Sequence, residues 1–287
     1  MLIPDIFKTK KPILSFEIFP PKKEAALQSI DATLGKLCEL APDFISVTFG
    51  AGGTMAGEPT IELGQKIRDV YGVEPLIHLT CLNYDRADIL SILEKLRAAK
   101  LANILALRGD AGVDVVPKND FRHASDLTAF IGSQGGFAVA GACYPEKHLE
   151  APDRIIDIRR LKHKVDAGAS FLISQLFFDN ELFYSFYEKT RVAGIEVPIC
   201  AGIMPVTNKA QIERMVSLCG ATLPPKFRRI LDRYEDKPLA LFDAGMAYAI
   251  NQIVELIAAG VDGIHIYTMN KPLIAERICA GIKNLVA

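Results

Sequence analysis

The sequence reads as an α/β chain folded into a single (β/α)8 TIM barrel over residues 1–287. Eight short runs rich in β-branched and aromatic residues recur along the chain. Each run is nearly continuous in apolar residues, as expected of parallel strands covered on both faces. Between the runs lie segments whose apolar residues return at helical spacing. This alternation without a long linker argues for a closed barrel over an open doubly wound sheet, the alternative arrangement of the same units.

The runs are ILSFEIF (13–19), DFISVTFG (43–50), EPLIHLTC (74–81), ANILALRG (102–109), FAVAGACY (137–144), SFLISQLFF (170–178), VPICAGIMP (197–205) and GIHIYTM (263–269). After the first run, Ala26, Ile30, Leu34 and Leu37 form one stripe at spacings of three and four. The segments ADILSILEKLRAAK and DRIIDIRRLKHKVDAG repeat the pattern. Glycine turns such as DAGAS and AAGVDG close helices before the next strand. Between the seventh and eighth runs the spacing predicts two helices, punctuated by Pro224 and Pro225. PLIAERICAGIKNLV ends the chain as a helix.

Composition narrows the function classes. With 33 basic and 34 acidic residues the net charge is −1, which gives no electrostatic reason to coat nucleic acid or an anionic membrane. Six scattered cysteines without a CxxC pair read as reduced thiols of a cytoplasmic protein. The apolar N-terminus is broken by Asp5, Lys8, Lys10 and Lys11, so it is not a signal peptide. AYAINQIVELIAAGVDGIHIY carries Asn251, Gln252, Glu255 and Asp262 and does not read as a membrane span. The five histidines show no zinc spacing, so no metal is expected, and neither GxGxxG nor a P-loop occurs.

Barrel enzymes place their chemistry where strands end. There the sequence offers Glu17, Thr48 with a GAGG turn, His78, Arg108-Gly109-Asp110, Tyr144, His148, Gln175, Asn208, Tyr267 and Asn270. Glu17 lies between Phe16 and Ile18; a carboxyl desolvated by such neighbours has its pKa raised and can act as a general acid. Arg108 and Asp110 flank a glycine and read either as site groups or as a salt bridge. Asp157, Arg160 and Lys164 share one helical stripe, which suits a pyrophosphate or a plain solvated face.

With the blocks SFEIFPP, DFISVTFGAGG, HLTC, ILALRGD, YPEKH, LKHKVDAGA, SQLFFD, GIMPVTN and HIYTMN in this order, the chain resembles the methylenetetrahydrofolate reductase family, in its short bacterial form. The resemblance implies a flavin barrel that takes hydride from NADH or NADPH onto FAD, rather than FMN, and passes it to 5,10-methylenetetrahydrofolate. The product would be 5-methyltetrahydrofolate, in one-carbon metabolism toward methionine. It implies Glu17 as the acid that protonates the folate's bridging amine and Asp110 as a catalytic charge near flavin and pterin. It places Thr48, His78, Arg108, Gly109, Asp110, His123, Ala124, Tyr144, His148, Asp157, Arg160, His163 and Lys164 along the flavin. Gln175, Gln211, Tyr267 and Lys271 fall at substrate-binding positions. A homo-oligomer is expected.

Some positions depart from the family pattern. His123 stands for tyrosine, and His163 and Lys271 for arginine. Met215 stands where an aromatic residue packs on the nicotinamide, which leaves a partner protein open as electron donor. Two other classes remain as alternatives: a proline dehydrogenase-like flavin barrel, and a flavin-bearing electron-relay subunit. A Schiff-base aldolase would need a lysine inside a strand, and none of the runs contains one.

Overall fold

The computed structural model describes residues 1–21, 27–49, 58–110, 118 and 120–286. The GAGG turn at 50–53 lies outside the described residues. Eight parallel strands close on themselves: β1 (Ile13–Ile18), β2 (Phe44–Val47), β3 (Glu74–Thr80), β4 (Asn103–Leu107), β5 (Ala138–Cys143), β6 (Ala169–Ser174), β7 (Ile199–Ile203) and β8 (Gly263–Tyr267). β1 pairs with both β2 and β8, with Ser15 opposite Phe44 on one side and His265 on the other.

The helices on the outside are α2 (Leu27–Glu39), α3 (Glu58–Tyr71), α4 (Arg86–Ala98), α5 (Ala124–Gln134), α6 (Arg154–Asp166) and α7 (Asn180–Val192). They are followed by α8 (Lys209–Cys219), α9 (Pro225–Tyr234), α10 (Pro238–Ala258) and α11 (Pro272–Ile282). Several start on side-chain caps. Asp85 and Asp88 form a reciprocal capping box on α4, and Asp153 and Asn208 accept from Ile156 and Gln211 at α6 and α8.

One expectation needs correction. The β7–β8 connection holds three helices, not two, because Pro238 starts α10 as Pro225 starts α9. The N-terminal residues, read only as something other than a signal peptide, form a short helix, α1 (Ile3–Thr9).

Strand alternation sorts the side chains into two cores. Outward residues such as Leu14, Phe16, Ile18, Ile45, Val47, Ile264 and Ile266 pack under the helices. Inward residues Ile13, Phe44, Leu76, Leu105, Ala140, Phe171 and Cys200 fill the lower barrel. α1 seals that end: Ile3 and Phe7 join this cluster, Phe7 stands 5.5 Å from Phe171, and the buried Asn103 side chain accepts from the Ile3 amide.

Candidate active site

One step up β1, β2, β3 and β8 the inward positions turn polar. Ser15, Ser46, His78 and His265 are all buried. His265 holds the centre, its Nδ1 2.8 Å from the Ser15 hydroxyl and its Nε2 3.4 Å from the Ser46 hydroxyl. Glu17 comes next on β1, with Oε2 3.6 Å from His78 Nε2 and 3.9 Å from His265 Nε2. Burial pushes the His78 imidazole down to about 4, against the pull of Glu17, so it is neutral near pH 7. Its Nε2 is buried without a hydrogen-bond partner.

The setting of Glu17 differs from the one its sequence neighbours suggest. Phe16 and Ile18 belong to the helix-facing core, while the Glu17 side chain, 22% exposed, faces the imidazoles. Its neighbours are therefore polar groups of other strands.

Above this belt opens a cleft of about 820 Å³. On the β4 side Gly109 has φ +81, and a Cβ there would lie 2.9 Å from Thr80 Cβ, so only glycine lets the strand exits approach so closely. Arg108 does not pair with Asp110. It makes a two-pronged bond to Glu150, with one arm at 2.7 Å, while Asp110 stays exposed at the cleft wall.

On the β5 side the Tyr144 and His148 rings meet edge to face at 4.7 Å. His148 Nδ1 accepts the Glu150 amide, and the His148 amide donates to Asp157, which locks the loop. Burial lowers the His148 pKa and pushes the Tyr144 hydroxyl up to about 12. The β6–β8 side is apolar, with Leu176, Met204, Met215 and Met269 around Gln175 and Tyr267. The Tyr267 hydroxyl donates to the Ser174 carbonyl at 2.7 Å. The β8 exit also clamps β1: Thr268 donates to the Glu17 carbonyl at 2.7 Å, and Asn270 bonds both the amide and the carbonyl of Phe19.

A family profile described as methylenetetrahydrofolate reductase matches residues 2–283. The chain belongs to the methylenetetrahydrofolate reductase family. It is 35% identical over 271 residues to methylenetetrahydrofolate reductase (NADH) 1 of Arabidopsis thaliana, covering 89% of this chain and 46% of that protein. To 5,10-methylenetetrahydrofolate reductase of Escherichia coli K12 it is 32% identical over 269 residues, covering 93% of this chain and 89% of that one. The chain thus spans about half the length of the plant relatives and most of the bacterial one. Among solved structures, a Clostridium thermocellum protein described as binding two copies of 5-methyl-5,6,7,8-tetrahydrofolic acid superposes with a TM-score of 0.71. It shares 15% identity, with 99% of each chain covered, and so shows likeness of fold.

Among the residues that the family resemblance singles out, Glu17, Thr48, His78, Arg108, Gly109, Asp110, Tyr144, His148, Gln175 and Tyr267 converge on the cleft. Asp157 and Lys164 stand behind its β5 wall; the Lys164 ammonium donates to the carbonyl of Ala142, a wall residue, at 2.6 Å. His123 and Ala124 start α5, where the His123 carbonyl receives the Cys81 thiol at 3.8 Å. Arg160 and His163 are exposed on α6, Gln211 lies in the first turn of α8, and Lys271 is exposed just ahead of α11. Phe49, Asn83, Tyr84, Glu150 and Met204 line the cleft without having been singled out. The β3 exit points to Asn83 and Tyr84; Phe49 has the outward parity of Ile45 and Val47, so alternation does not mark it, and no sequence signal pairs Glu150 with Arg108. Among the described residues no group of three or more His, Cys, Asp or Glu is arranged to hold a metal, and no helix is long and apolar enough to cross a membrane.

Proposed function

We propose that this chain reduces 5,10-methylenetetrahydrofolate to 5-methyltetrahydrofolate, with hydride drawn from NADH or NADPH through bound FAD. The observation that carries this reading is a carboxylate, Glu17, held among buried imidazoles at the base of a deep cleft in a chain of this family. The cleft fits a flavin: it is roomy and partly aromatic, and a neutral, buried imidazole whose Nε2 lacks a partner lies in its lining. Thr48, His78, Gly109 and Tyr144 would border the ring system, and Arg108, freed from Glu150, with Arg160 and Lys164 would serve its phosphates. When bound, FAD supplies a two-electron hydride carrier.

The chain's own groups do the rest. Glu17 delivers a proton to the bridging amine nitrogen of the folate, so its C–N bond breaks and the methylene becomes an electrophilic iminium. Hydride addition to that carbon completes the methyl group. Asp110, exposed at the cleft wall, favours the cationic iminium. Gln175 and Tyr267 orient the pterin from the opposite side.

The test is spectroscopic. Purified protein is expected to be yellow, to bleach anaerobically with NADH or NADPH, and to regain colour with methylenetetrahydrofolate. Protein that binds FAD but is not reoxidised by the folate would overturn the substrate assignment.

A further inference from the structure

β6 ends at Ser174, and the chain then carries Gln175, Leu176, Phe177 and Phe178 out past the strand. Phe177 and Phe178 are buried, so their backbone carbonyls need donors from elsewhere. α10 supplies both. The Gln252 side-chain amide donates to the Phe177 carbonyl at 3.0 Å, and the Tyr248 hydroxyl donates to the Phe178 carbonyl at 2.6 Å. The two residues stand one turn apart on α10 and so reach consecutive carbonyls from one face. Each is held in turn. Gln252 is 4% exposed, and its own carbonyl accepts from the Asn180 side chain at 3.1 Å. The Tyr248 ring stacks on Phe227 with centroids 4.0 Å apart. A glutamine is seldom buried this deeply unless its amide is needed there.

The grip from α10 bears on the peptide of Leu176. That peptide lies between the anchored carbonyls and the Gln175 amide, which donates to the Cys143 carbonyl of β5 at 2.8 Å. The Leu176 amide donates to Oε1 of Gln175 at 2.9 Å. A backbone N–H can bond only the oxygen of a side-chain amide, so this contact decides which end of Gln175 is which. Its oxygen is turned to the chain. Nε2, with two N–H donors, is the end left to meet a ligand in the cleft that Gln175 lines. Neither Gln252 nor Tyr248 is among the residues lining that cleft, so any effect of theirs passes through the β6 exit.

We propose that Gln252, together with Tyr248, is a positioning residue for the substrate. By holding the Phe177 and Phe178 carbonyls, the pair keeps the Leu176 amide on Gln175 Oε1 and so presents Gln175 to the folate as a hydrogen-bond donor. The inference rests on the substrate role given to Gln175 above. It extends the site outward, from the cleft wall to a helix on the far side of the strand exit.

A double-mutant cycle tests it on protein supplied with FAD, with the dissociation constant of 5-methyltetrahydrofolate by calorimetry as the readout. Gln252→Met keeps the length of the side chain and removes its donor. It is expected to weaken the folate about three- to tenfold, the usual worth of one hydrogen bond. Gln175→Ala should weaken it at least as much. In the Gln175→Ala background Gln252→Met should then cost nothing further, because both act on one contact. Equal losses from Gln252→Met in the two backgrounds would mean a general loosening of the barrel end and overturn the proposal. An unchanged dissociation constant in the single variant would overturn it too. Should Gln252→Met not fold by circular dichroism, Tyr248→Phe, which loses one hydroxyl and keeps its ring on Phe227, runs the same cycle. A second arm needs no ligand: hydrogen exchange of the Leu176 amide, followed by NMR, is expected to quicken several-fold in Gln252→Met. If the wild type does not bind the folate, the substrate reading fails by itself. Exchange at Leu176 then decides whether α10 holds Gln175, and an unchanged rate overturns that as well.

Discussion

Oε2 of Glu17 lies 3.6 Å from Nε2 of His78, an oxygen and a nitrogen facing each other across strands β1 and β3 without a hydrogen bond between them. His78 is neutral at this site because burial outweighs the attraction of the carboxylate. The pair is therefore not a salt bridge near pH 7. It leaves the Glu17 carboxyl lining the cleft without an ion pair to His78.

Glu17→Gln is nearly isosteric and removes the ionisable carboxyl, the group that can donate a proton. Reoxidation of the reduced enzyme by methylenetetrahydrofolate is expected to slow by about 10²–10⁴, the worth of a positioned general acid. Reduction by the nicotinamide, which needs no such proton, should stay within a few-fold of wild type. Stopped-flow traces of the two half-reactions check this; an equal fall in both would make Glu17 a packing residue.

His78 also makes stability depend on pH. It titrates near 6.5 in the unfolded chain and at about 4 in the folded one. Between those values only the unfolded chain binds the proton, so acidification favours unfolding. The stabilisation is complete above the unfolded pKa and declines toward pH 4, by up to about 3 kcal/mol. His148, whose pKa is also lowered by burial, acts in the same direction. His78→Gln should flatten the slope of Tm against pH between about 7 and 4.5. Identical slopes in variant and wild type would assign the effect elsewhere.

Gly202 on β7 admits no side chain. A Cβ there would run into the Ser174 carbonyl oxygen and stand 2.8 Å from the Tyr267 hydroxyl, breaking the bond between them. Gly202→Ala is expected to cost at least about 1–3 kcal/mol in denaturant unfolding, as overpacking of a rigid core does. Tyr267→Phe, which loses only the hydroxyl, should cost about 1 kcal/mol. An alanine variant as stable as wild type would mean that the strands move apart easily.

The β8–β1 clamp is a fourth target. Met269 and Asn270 both adopt left-handed backbone, with φ of 54° and 55°, and such strain persists where surrounding bonds hold it. Asn270→Ala removes both bonds to Phe19 and should lower kcat several-fold with little change in KM, since the segment bearing Glu17 loosens. Asn270→Asp keeps the acceptor for the Phe19 amide and should fall between. Steady-state kinetics decide it, and wild-type kcat in the alanine variant would remove the clamp from the mechanism.

The barrel was legible because its strands are buried on both faces, so apolar runs mark them directly. Polar residues inside those runs had few places to go but inward, which is why Glu17, His78, Gln175 and Tyr267 could be picked out. Their surroundings were not legible. Phe16 and Ile18 adjoin Glu17 in sequence yet face the opposite side of the strand, while its true neighbours lie 61 and 248 residues away. The partner of Arg108 stands 42 residues on, in a loop whose path depends on His148 and Asp157. α1 carries too few residues for its period to stand out, and its place under the barrel depends on Asn103 and Phe171.

Along β1 the inward side chains run Ile13, Ser15, Glu17, from the sealed floor to the open cleft. A random-mutagenesis screen should find a gradient of phenotype along this one strand. Changes at Ile13 would give temperature-sensitive alleles, rescued by any global stabiliser because they draw on the same folding free energy. Changes at Glu17 would give well-expressed, inert protein that no such suppressor repairs. Ser15, bonded to His265 between the two, would mix both defects, and second-site revertants of it should map to β8.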